Sequence, residues 1–282
     1  MKKIFLFACI LSGLIACDSE VTYDCGCAPP SPIFLKSYIQ AFIDGYKGRE
    51  VYVDVRCGYE IDTVRKSIDR CWRVDSSVIY DVKDVIGIEI ESHLNDPEYN
   101  GEFYNVNLYR DASKNPRDME RQKGYDKYIE LVGDTSFNRE MDGKPDVVSM
   151  ITPLKNIAIT CDKDFGANYP AGSNLNELFT VYFDDPYSTV KNGYHPVEGT
   201  YAYFRGADFQ RDNPQSIVKV RLSEANFSER PFIGNKWLCI LDVAPERTDT
   251  YIFEVKITFV DGAELKMVND VYDAVNIKGS KD

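Results

Sequence analysis

Apolar and polar residues alternate along much of the chain, with the two-residue period of half-buried β-strands. The clearest run is TYIFEVKITFVDGAELKMV, near the C-terminus, which is apolar at every second residue from Tyr251 to Phe259. Asp261 and Gly262 then favour the positive φ angles of a tight turn, and Leu265 resumes the apolar phase. The pattern predicts a β-hairpin in this part of the chain.

The same alternation recurs at short intervals, with turn-forming residues between the runs. The other strand-like runs are VYVDVR, VIGIEIES, FYNVNLY, LKNIAITC, LFTVYF, GTYAYF, SIVKVRL and KWLCILDV. Helical periods are short: 60–72 predicts a short helix, 125–132 fits a short helix or a strand, and the charged segment 111–124 resembles a loop. Many short strands with few helices predict a mostly β fold. We expect two antiparallel β-sandwich, immunoglobulin-like modules with minor helix.

A faint internal similarity suggests where the two modules meet. DVIGIEIESHLNDPEYNGE and LKNIAITCDKDFGANYPAG each contain an alternating apolar run followed by a polar loop with Asp, an aromatic residue and Gly. We therefore predict an N-terminal β-rich domain over 33–147 and a C-terminal β-sandwich domain over 148–282.

The first residues have the organisation of an export signal. In MKKIFLFACILSGLIAC, two lysines precede an apolar run that is shorter than the roughly 20 residues needed to span a bilayer. The run ends in Leu-Ile-Ala-Cys, which resembles the lipobox of bacterial lipoproteins. That resemblance implies a signal peptide over 1–16, acylation of Cys17, and a lipidated tether over 17–32 that anchors the protein to a membrane. The alternative is a plain secretory peptide with an accidental cysteine.

Charge limits the classes of partner. The formal net charge is −12, with 45 acidic and 33 basic residues. Such a surface repels nucleic acid and anionic lipid headgroups, so no nucleic-acid partner is predicted, and a lipid rather than surface charge would hold the protein on a membrane. The chain has no phosphate-binding loop or dinucleotide fingerprint, so no cofactor is predicted.

Cysteines outside the leader and the acylation position are candidates for disulfides, because an exported, even set permits them. They are Cys25, Cys27, Cys57, Cys71, Cys161 and Cys239. The first four could form two bridges in any of three pairings. Cys161 and Cys239 lie on the apolar phase of predicted strands, so they could bridge across the core or remain buried thiols.

Metal-binding motifs are incomplete, and no metal is predicted. The Cys-x-Cys spacing near the N-terminus does not match zinc sites. Residues 138–146 place oxygen ligands at the spacing of a calcium loop, but Ser149 stands where a bidentate carboxylate is needed. Asp162, Asp164 and Asn168 form a second oxygen cluster.

Catalytic motifs are also missing. The chain has no G-x-S-x-G or H-E-x-x-H sequence, and its two histidines are His93 and His195. A carboxylate pair of the glycosidase type cannot be selected from sequence, since the criterion is separation in space. A non-catalytic protein is therefore favoured over an enzyme.

Aromatic residues offer candidate ligand contacts. Tyr182, Tyr187 and Tyr194 flank the predicted loop YFDDPYSTVKNGY, where rings could stack on the apolar faces of sugars. Tyr201 and Tyr203 share one face of a predicted strand and are assigned to the core.

The leader and the tether resemble those of Bacteroidetes-type lipoproteins, in which acidic residues such as Asp18 and Glu20 follow the acylated cysteine. The segment ITPLKNIAITCDKDFGANYPAGSNLNELF is similar to one found in uncharacterised lipoproteins of these bacteria, and Asp62-Thr63-Val64 matches their short O-glycosylation signal. The resemblance implies a lipid-anchored protein of the outer membrane, exposed at the cell surface. Its predicted role is binding a glycan or a protein, or a structural one; the alternative is an extracytoplasmic glycan-acting hydrolase.

Overall fold

The computed structural model describes residues 33–35, 37–39, 41–43, 51–69, 71–92, 103–105, 116–137, 139–141, 147–201, 203–204, 215–268 and 274–282. They form a mostly β structure with few helices and several antiparallel sheets, which confirms the predicted secondary-structure class. The predicted signal peptide and the tether with Cys17, Cys25 and Cys27 lie outside the described residues. None of the described helices has the length and apolar character to cross a membrane.

The largest sheet has six strands, and each pairs antiparallel with its neighbours. In spatial order the strands are β15 (Ile217–Arg221), β13 (Phe179–Asp184), β17 (Lys236–Leu241), β8 (Gly87–Ser92), β3 (Val51–Cys57) and β6 (Trp72–Arg73). Strands β3 and β8 precede residue 147, whereas β13 and β17 follow it. The boundary predicted between 147 and 148 therefore falls within a set of strands that share one sheet.

Two smaller sheets pack with the six-stranded sheet around the main hydrophobic core. One contains β12 (Leu154–Cys161), β19 (Phe253–Phe259) and β20 (Glu264–Val268), and the other contains β18 (Asp249–Tyr251), β21 (Val275–Ile277) and β7 (Ile79–Tyr80). Alternation explains the packing: Val55 and Ile88 are opposite each other on β3 and β8, and both are fully buried. The predicted hairpin is confirmed as β19 and β20, with Gly262 at φ +87° in the turn.

The remaining strands form three further sheets, and two of these sheets contribute residues to two satellite cores. The strands are β1 (Ile33–Leu35) paired with β10 (Arg139–Met141); β16 (Ile233–Gly234), β11 (Val148–Met150), β2 (Ala41–Ile43) and β9 (Phe103–Asn105) in one sheet; and β14 (Tyr203–Phe204), β5 (Ser67–Asp69) and β4 (Glu60–Asp62) in another. Helix α1 (Pro116–Val132) contributes Tyr125 and Tyr128 to one satellite core.

Three local predictions are corrected by the structure. The helix predicted over 60–72 is wrong, because β4 and β5 form a hairpin whose turn is closed by Asp62: its Oδ1 accepts from the backbone N–H groups of Val64 and Arg65 at 2.8 and 2.7 Å. The loop predicted over 111–124 is wrong from Pro116 onward, where α1 begins.

The predicted loop after β13 also contains a helix, α2 (Pro186–Lys191). Asp185 caps it, since its carboxylate accepts from the backbone N–H of Ser188 at 3.0 Å, and Pro186 suits the first helical position.

The second face of the six-stranded sheet carries its own satellite core. Leu238 and Ile240 on β17 alternate with the main-core residues of that strand and pack with Tyr59, Ile68 and Tyr182. Cross-strand pairing defines one row on this face: Asp54, Glu89, Leu238, Tyr182 and Lys219. Polar residues thus occupy the β3 end of a row whose centre is apolar.

Candidate functional site

A polar cluster lies on this second face, where β3 and β8 pair. Asp54 and Arg56 are on β3, and Glu89 is on β8 directly opposite Asp54. The alternation that buries Val55 and Ile88 on the first face places these three charged residues on the second. Residues directly opposite each other have Cβ atoms about 5 Å apart, so the two carboxylates are close neighbours.

Arg56 bridges the two acids. Its Nη2 lies 2.6 Å from Asp54 Oδ2 and its Nε lies 3.0 Å from Glu89 Oε2. The side chains of Asp54 and Glu89 are each 16% exposed and that of Arg56 is 19% exposed, so the cluster is mostly buried yet reaches solvent. Burial alone would lower the pKa of the Arg56 guanidinium, but the Coulombic attraction of Glu89 and Asp54 outweighs it and raises the pKa.

A thiol and a second arginine extend the cluster. The Cys71 thiol donates to Glu89 Oε1 at 3.7 Å, and Arg56 Nη1 donates to Cys71 Sγ at 3.9 Å. Arg73, on the edge strand β6, has its Nε 3.7 Å from Asp54 Oδ2. Two carboxylates therefore face two guanidinium groups, and the charges of the cluster balance.

Tyr59 forms the buried side of the cluster. Its side chain is 5% exposed, and its ring lies against Gly87, which is the cross-strand partner of Arg56. Burial raises the pKa of the Tyr59 hydroxyl, and the nearby negative charge of Glu89 raises it further. The neutral phenol is therefore the form present at physiological pH.

A second acidic pair is fully enclosed. Asp185 is 1% exposed, and its Oδ2 accepts from Arg230 Nε at 2.7 Å. Burial, followed by the negative charge of Asp185, raises the pKa of Asp184 to about 8. Asp184 Oδ1 has no hydrogen-bond partner among the described residues. Because Asp184 is 7% exposed, this pair offers less access to a ligand than the cluster on β3 and β8.

The structure corrects Tyr182 as an exposed ligand contact. Tyr182 is in β13 rather than a loop and is 2% exposed, with its ring 5.5 Å from that of Tyr201 in an edge-to-face arrangement. Tyr201 is buried, as predicted, at 4% exposure. Its predicted neighbour Tyr203 begins β14.

Tyr187 and Tyr194 are both partly buried and pack in a satellite core. The Tyr187 ring meets that of Phe232 at 5.3 Å and 90°. The Tyr194 hydroxyl accepts from the backbone N–H of Ser136 at 3.0 Å, and its ring lies 5.2 Å from that of Phe137. The three candidate tyrosines therefore belong to two different cores and do not form one platform.

The four described cysteines are free thiols. Cys57 on β3 pairs with Trp72 on β6, so the side chains of these two residues lie on the same face of the sheet. Cys71 immediately precedes Trp72, so its side chain points to the opposite face. Cys57 and Cys71 therefore do not form a bridge with each other in this structure. Cys161 and Cys239 are both buried in the main core without a bridge, and the Cys161 thiol donates to the Lys163 carbonyl at 2.9 Å.

The predicted oxygen clusters have structural roles where they are described. Asp162 Oδ1 accepts from the backbone N–H of Ile252 at 2.8 Å, and Asp164 Oδ1 accepts from that of Ala171 at 2.8 Å. Of the calcium-like segment 138–146, the backbone of 139–141 is described, as β10. Among the described residues, no group of three or more His, Cys, Asp or Glu side chains could hold a metal ion.

The structure also describes the predicted O-glycosylation signal and one of the two histidines. Thr63 and Val64 lie at the exposed turn between β4 and β5. The carbonyl of His195 accepts from the Asn192 side chain at 3.1 Å, in a loop after α2, whereas His93 lies outside the described residues.

Comparison of the chain with protein-family models, curated proteins and solved structures gives no match. The candidate site is therefore defined by geometry alone. Sequence reasoning missed Asp54, Arg56 and Glu89 as a group, although each lies on the polar phase of a predicted strand. The missing information was the pairing of β3 with β8, which alternation does not supply.

Proposed function

We propose that the protein is a lipid-anchored lipoprotein of the bacterial cell envelope with a non-catalytic binding role. The sequence Leu-Ile-Ala-Cys at the end of the apolar leader supports acylation at Cys17, and residues 17–32 would then tether the folded body to the membrane. The acidic residues that follow Cys17 support a position on the outer membrane, facing outward. Its ligand would be a glycan or a protein.

The observation that favours binding over hydrolysis is the position of Arg56. A glycosidase uses two carboxyl groups on either side of the scissile bond, one as an acid and the other as a base or nucleophile. Asp54 and Glu89 face each other, but Arg56 is ion-paired to both. The guanidinium neutralises the pair and occupies the space that a scissile bond would need.

We also propose that the six-stranded sheet and the sheet of β12, β19 and β20 are the two layers of one antiparallel β-sandwich. Support comes from their shared hydrophobic core. The pairing of β8 with β17 joins the two halves of the chain, which favours a single sandwich-like body over two separate immunoglobulin-like modules.

Protease shaving of intact cells tests the anchor and its orientation. We expect external protease to remove the native protein, and mass spectrometry to find acyl chains on an N-terminal Cys17. The Cys17→Ala variant should remain unprocessed or leave the membrane. The Cys9→Ala variant is a matched control within the leader and should behave as the native protein does.

Three results would contradict parts of the proposal. A Cys17→Ala variant that loses its leader and still stays on the membrane as the native protein does would overturn the lipid anchor. Protection of the native protein until the outer membrane is broken would leave the anchor in place and overturn the outward orientation. Release of reducing sugar from envelope glycans by the native protein, lost in Glu89→Gln, would favour the hydrolase.

A further inference from the structure

Three buried polar atoms of the cluster on β3 and β8 lack a hydrogen-bond partner among the described residues. They are Asp54 Oδ1, Arg56 Nε and Tyr59 Oη. Arg56 Nε is close enough to Glu89 to form an ion pair but does not have the direction of a hydrogen bond. The Tyr59 hydroxyl lies close enough to Glu89 for that carboxylate's charge and hydrogen bonding to raise its pKa, but it too falls short of full hydrogen-bond geometry.

These three unsatisfied atoms are significant because they lie in the same cluster. Buried polar atoms in native proteins nearly always have a partner, and an exception calls for an unseen molecule or a functional reason. These three come from side chains that already contact one another or a common neighbour, Glu89. Tyr59, at 5% exposure, directs a polar atom into the cluster from its buried side.

We propose that this cluster is a binding site for a neutral, hydroxyl-rich ligand, that is, a sugar or another polyol. The inference rests on the proposed binding role and names the ligand class for it. The bound hydroxyl groups complete the hydrogen bonds of Asp54 Oδ1, Arg56 Nε and Tyr59 Oη.

The unsatisfied atoms require a ligand that both donates and accepts. Asp54 Oδ1 accepts, Arg56 Nε donates, and the Tyr59 hydroxyl does either. A hydroxyl group satisfies all three kinds of contact, and two adjacent hydroxyl groups can satisfy the three atoms together. A purely accepting or purely donating ligand would leave at least one atom unsatisfied.

The charges of the cluster select for neutrality. An anion would compete with Asp54 and Glu89 for Arg56, and a cation would compete with Arg56 for the two carboxylates, so either would have to break an existing ion pair. A neutral molecule disturbs neither ion pair. This distinguishes the site from an anion-binding site built on arginine alone, where no carboxylate faces the ligand.

The surroundings of the cluster suit the apolar face of a sugar ring. Tyr59 and Ile240 are buried in the adjoining satellite core, and Ile61, Cys71 and Val85 are partly buried against it. The charged side chains remain 16% to 19% exposed, so the cluster borders solvent, and a ligand reaches the three buried atoms by displacing part of these side chains. A few polar groups beside an apolar surface are the usual composition of a small-molecule site.

Saturation-transfer NMR on the full-length protein, in a detergent without a sugar headgroup, tests the proposal. The probes are D-glucose, D-galactose, D-mannose, N-acetyl-D-glucosamine and glycerol, with inorganic phosphate as an anionic probe. We expect transfer to at least one hydroxylated probe and none to phosphate. Tyr59→Phe and Asp54→Asn should each weaken that binding by about fivefold to tenfold, the effect of one lost hydrogen bond.

Tyr169→Phe is the matched control, since it also removes a tyrosine hydroxyl but at an exposed position, where that hydroxyl contacts Glu177 at 3.1 Å. It should bind the probe as the native protein does. Far-ultraviolet circular dichroism of each variant shows whether it is folded. Should Asp54→Asn fail to fold, Tyr59→Phe decides, because it retains the ring against Gly87.

Absence of transfer to every hydroxylated probe at about 20 mM, or unchanged binding by folded Tyr59→Phe, would overturn the proposal and leave ordered water alone at these atoms. Its failure is distinguishable from failure of the proposed function. If Cys17 is acylated but the protein binds no sugar, the proposed ligand class is wrong and the lipid anchor stands. If the protein binds sugar but Cys17 is not acylated, the lipid anchor is wrong and the proposed binding site stands.

Discussion

The ring of Tyr59 lies directly over Gly87, so close that a Cβ atom on Gly87 would be 2.7 Å from Tyr59 Cε2. The same Cβ would be 2.8 Å from Leu238 Cδ1 and 2.9 Å from Ile240 Cδ1. Gly87 has no positive φ angle that would require glycine. Its role is to leave room on the second face of the sheet for the ring that carries the Tyr59 hydroxyl into the polar cluster.

Gly87→Ala is therefore expected to destabilise the protein through overpacking, by about 1–3 kcal/mol in urea unfolding. The backbone can accept alanine, so the loss comes from the three side chains that must move. Gly166→Ala is the matched control, because its Cβ would meet first the flexible Glu246 side chain, at 3.1 Å. Equal stability of the two variants would contradict the close packing of Tyr59 on Gly87.

Local features of the fold were predictable from sequence, and pairings distant in sequence were not. The hairpin of β19 and β20 combines strict alternation with Asp261-Gly262, so a few adjacent residues specify it. The pairing of β8 with β17 joins residues such as Ile88 and Cys239, which are far apart in the chain. Many apolar strands could satisfy either position, so the sequence suggested two modules where the strands form a common sheet.

The candidate site was unpredictable for the same reason. Asp54 and Glu89 each lie on the polar phase of a recognised strand, which alone indicates an exposed face. Their proximity depends on strand order and register, and a shift of one residue would turn one carboxylate to the other face. The false helix over 60–72 arose because Ile61, Val64 and Ile68 have helical spacing, whereas the Asp62 side chain stabilises a turn there.

Asp184 should make stability fall as pH rises from about 4 to 8. Its unfolded pKa is about 3.9, and burial with the charge of Asp185 raises the folded pKa to about 8. The native state therefore binds the proton more tightly than the unfolded chain does. The resulting stability is complete below pH 4 and is lost as pH rises through 8, at up to about 1.4 kcal/mol per pH unit.

Asp184→Asn removes this titration with little change in shape. Urea unfolding at pH 5 and pH 8.5 should show a smaller loss of stability in Asp184→Asn than in the native protein. Asp134, whose pKa burial also raises, is present in both proteins and cancels in the comparison. Asp185→Asn, which weakens the Arg230 pair, should destabilise at both pH values. Equal pH dependence of Asp184→Asn and the native protein would show that Asp184 does not titrate in this range.

Among the four described cysteines, Cys71 should react fastest with iodoacetamide in the reduced, folded protein. Cys71 is partly exposed, whereas Cys57, Cys161 and Cys239 are at most 3% exposed. Burial also raises the pKa of each of those three thiols, which lowers their thiolate fraction. Peptide mass spectrometry should show at least about tenfold faster alkylation at Cys71.

Unfolding in guanidinium chloride is the control for Cys71, because it should bring the alkylation rates of the four thiols close together. Cys71→Ser should remove the fast phase and leave the slow ones. Fast alkylation of Cys57 in the folded protein would place its side chain outside the main core and would reopen a bridge to Cys71.

The outer edge of β12 is covered by the segment 172–176 instead of a strand. The backbone N–H groups of Gly172 and Leu175 donate to the Cys161 and Ile159 carbonyls at 2.8 Å each, and the Asn176 side chain completes the edge. Asn176 is 6% exposed; its Oδ1 accepts from the backbone N–H of Ile159 at 3.0 Å, and its Nδ2 donates to the Ile157 carbonyl at 2.8 Å. One amide therefore satisfies a donor and an acceptor that a neighbouring strand would otherwise pair. This protects an edge that could recruit other chains.

Asn176→Ala should cost about 2–4 kcal/mol in urea unfolding, because it leaves two buried backbone groups unpaired. Asn176→Asp should be no better at neutral pH, since its carboxylate can accept from Ile159 but faces the Ile157 carbonyl without a proton to donate. Asn226→Ala is the matched control at an exposed position and should change stability by less than about 0.5 kcal/mol. Hydrogen exchange at the Ile159 amide should accelerate in Asn176→Ala, which removes its acceptor, and much less in Asn176→Asp, which retains one. Unchanged exchange there would mean that the amide is protected by the fold around it and not by the Asn176 side chain.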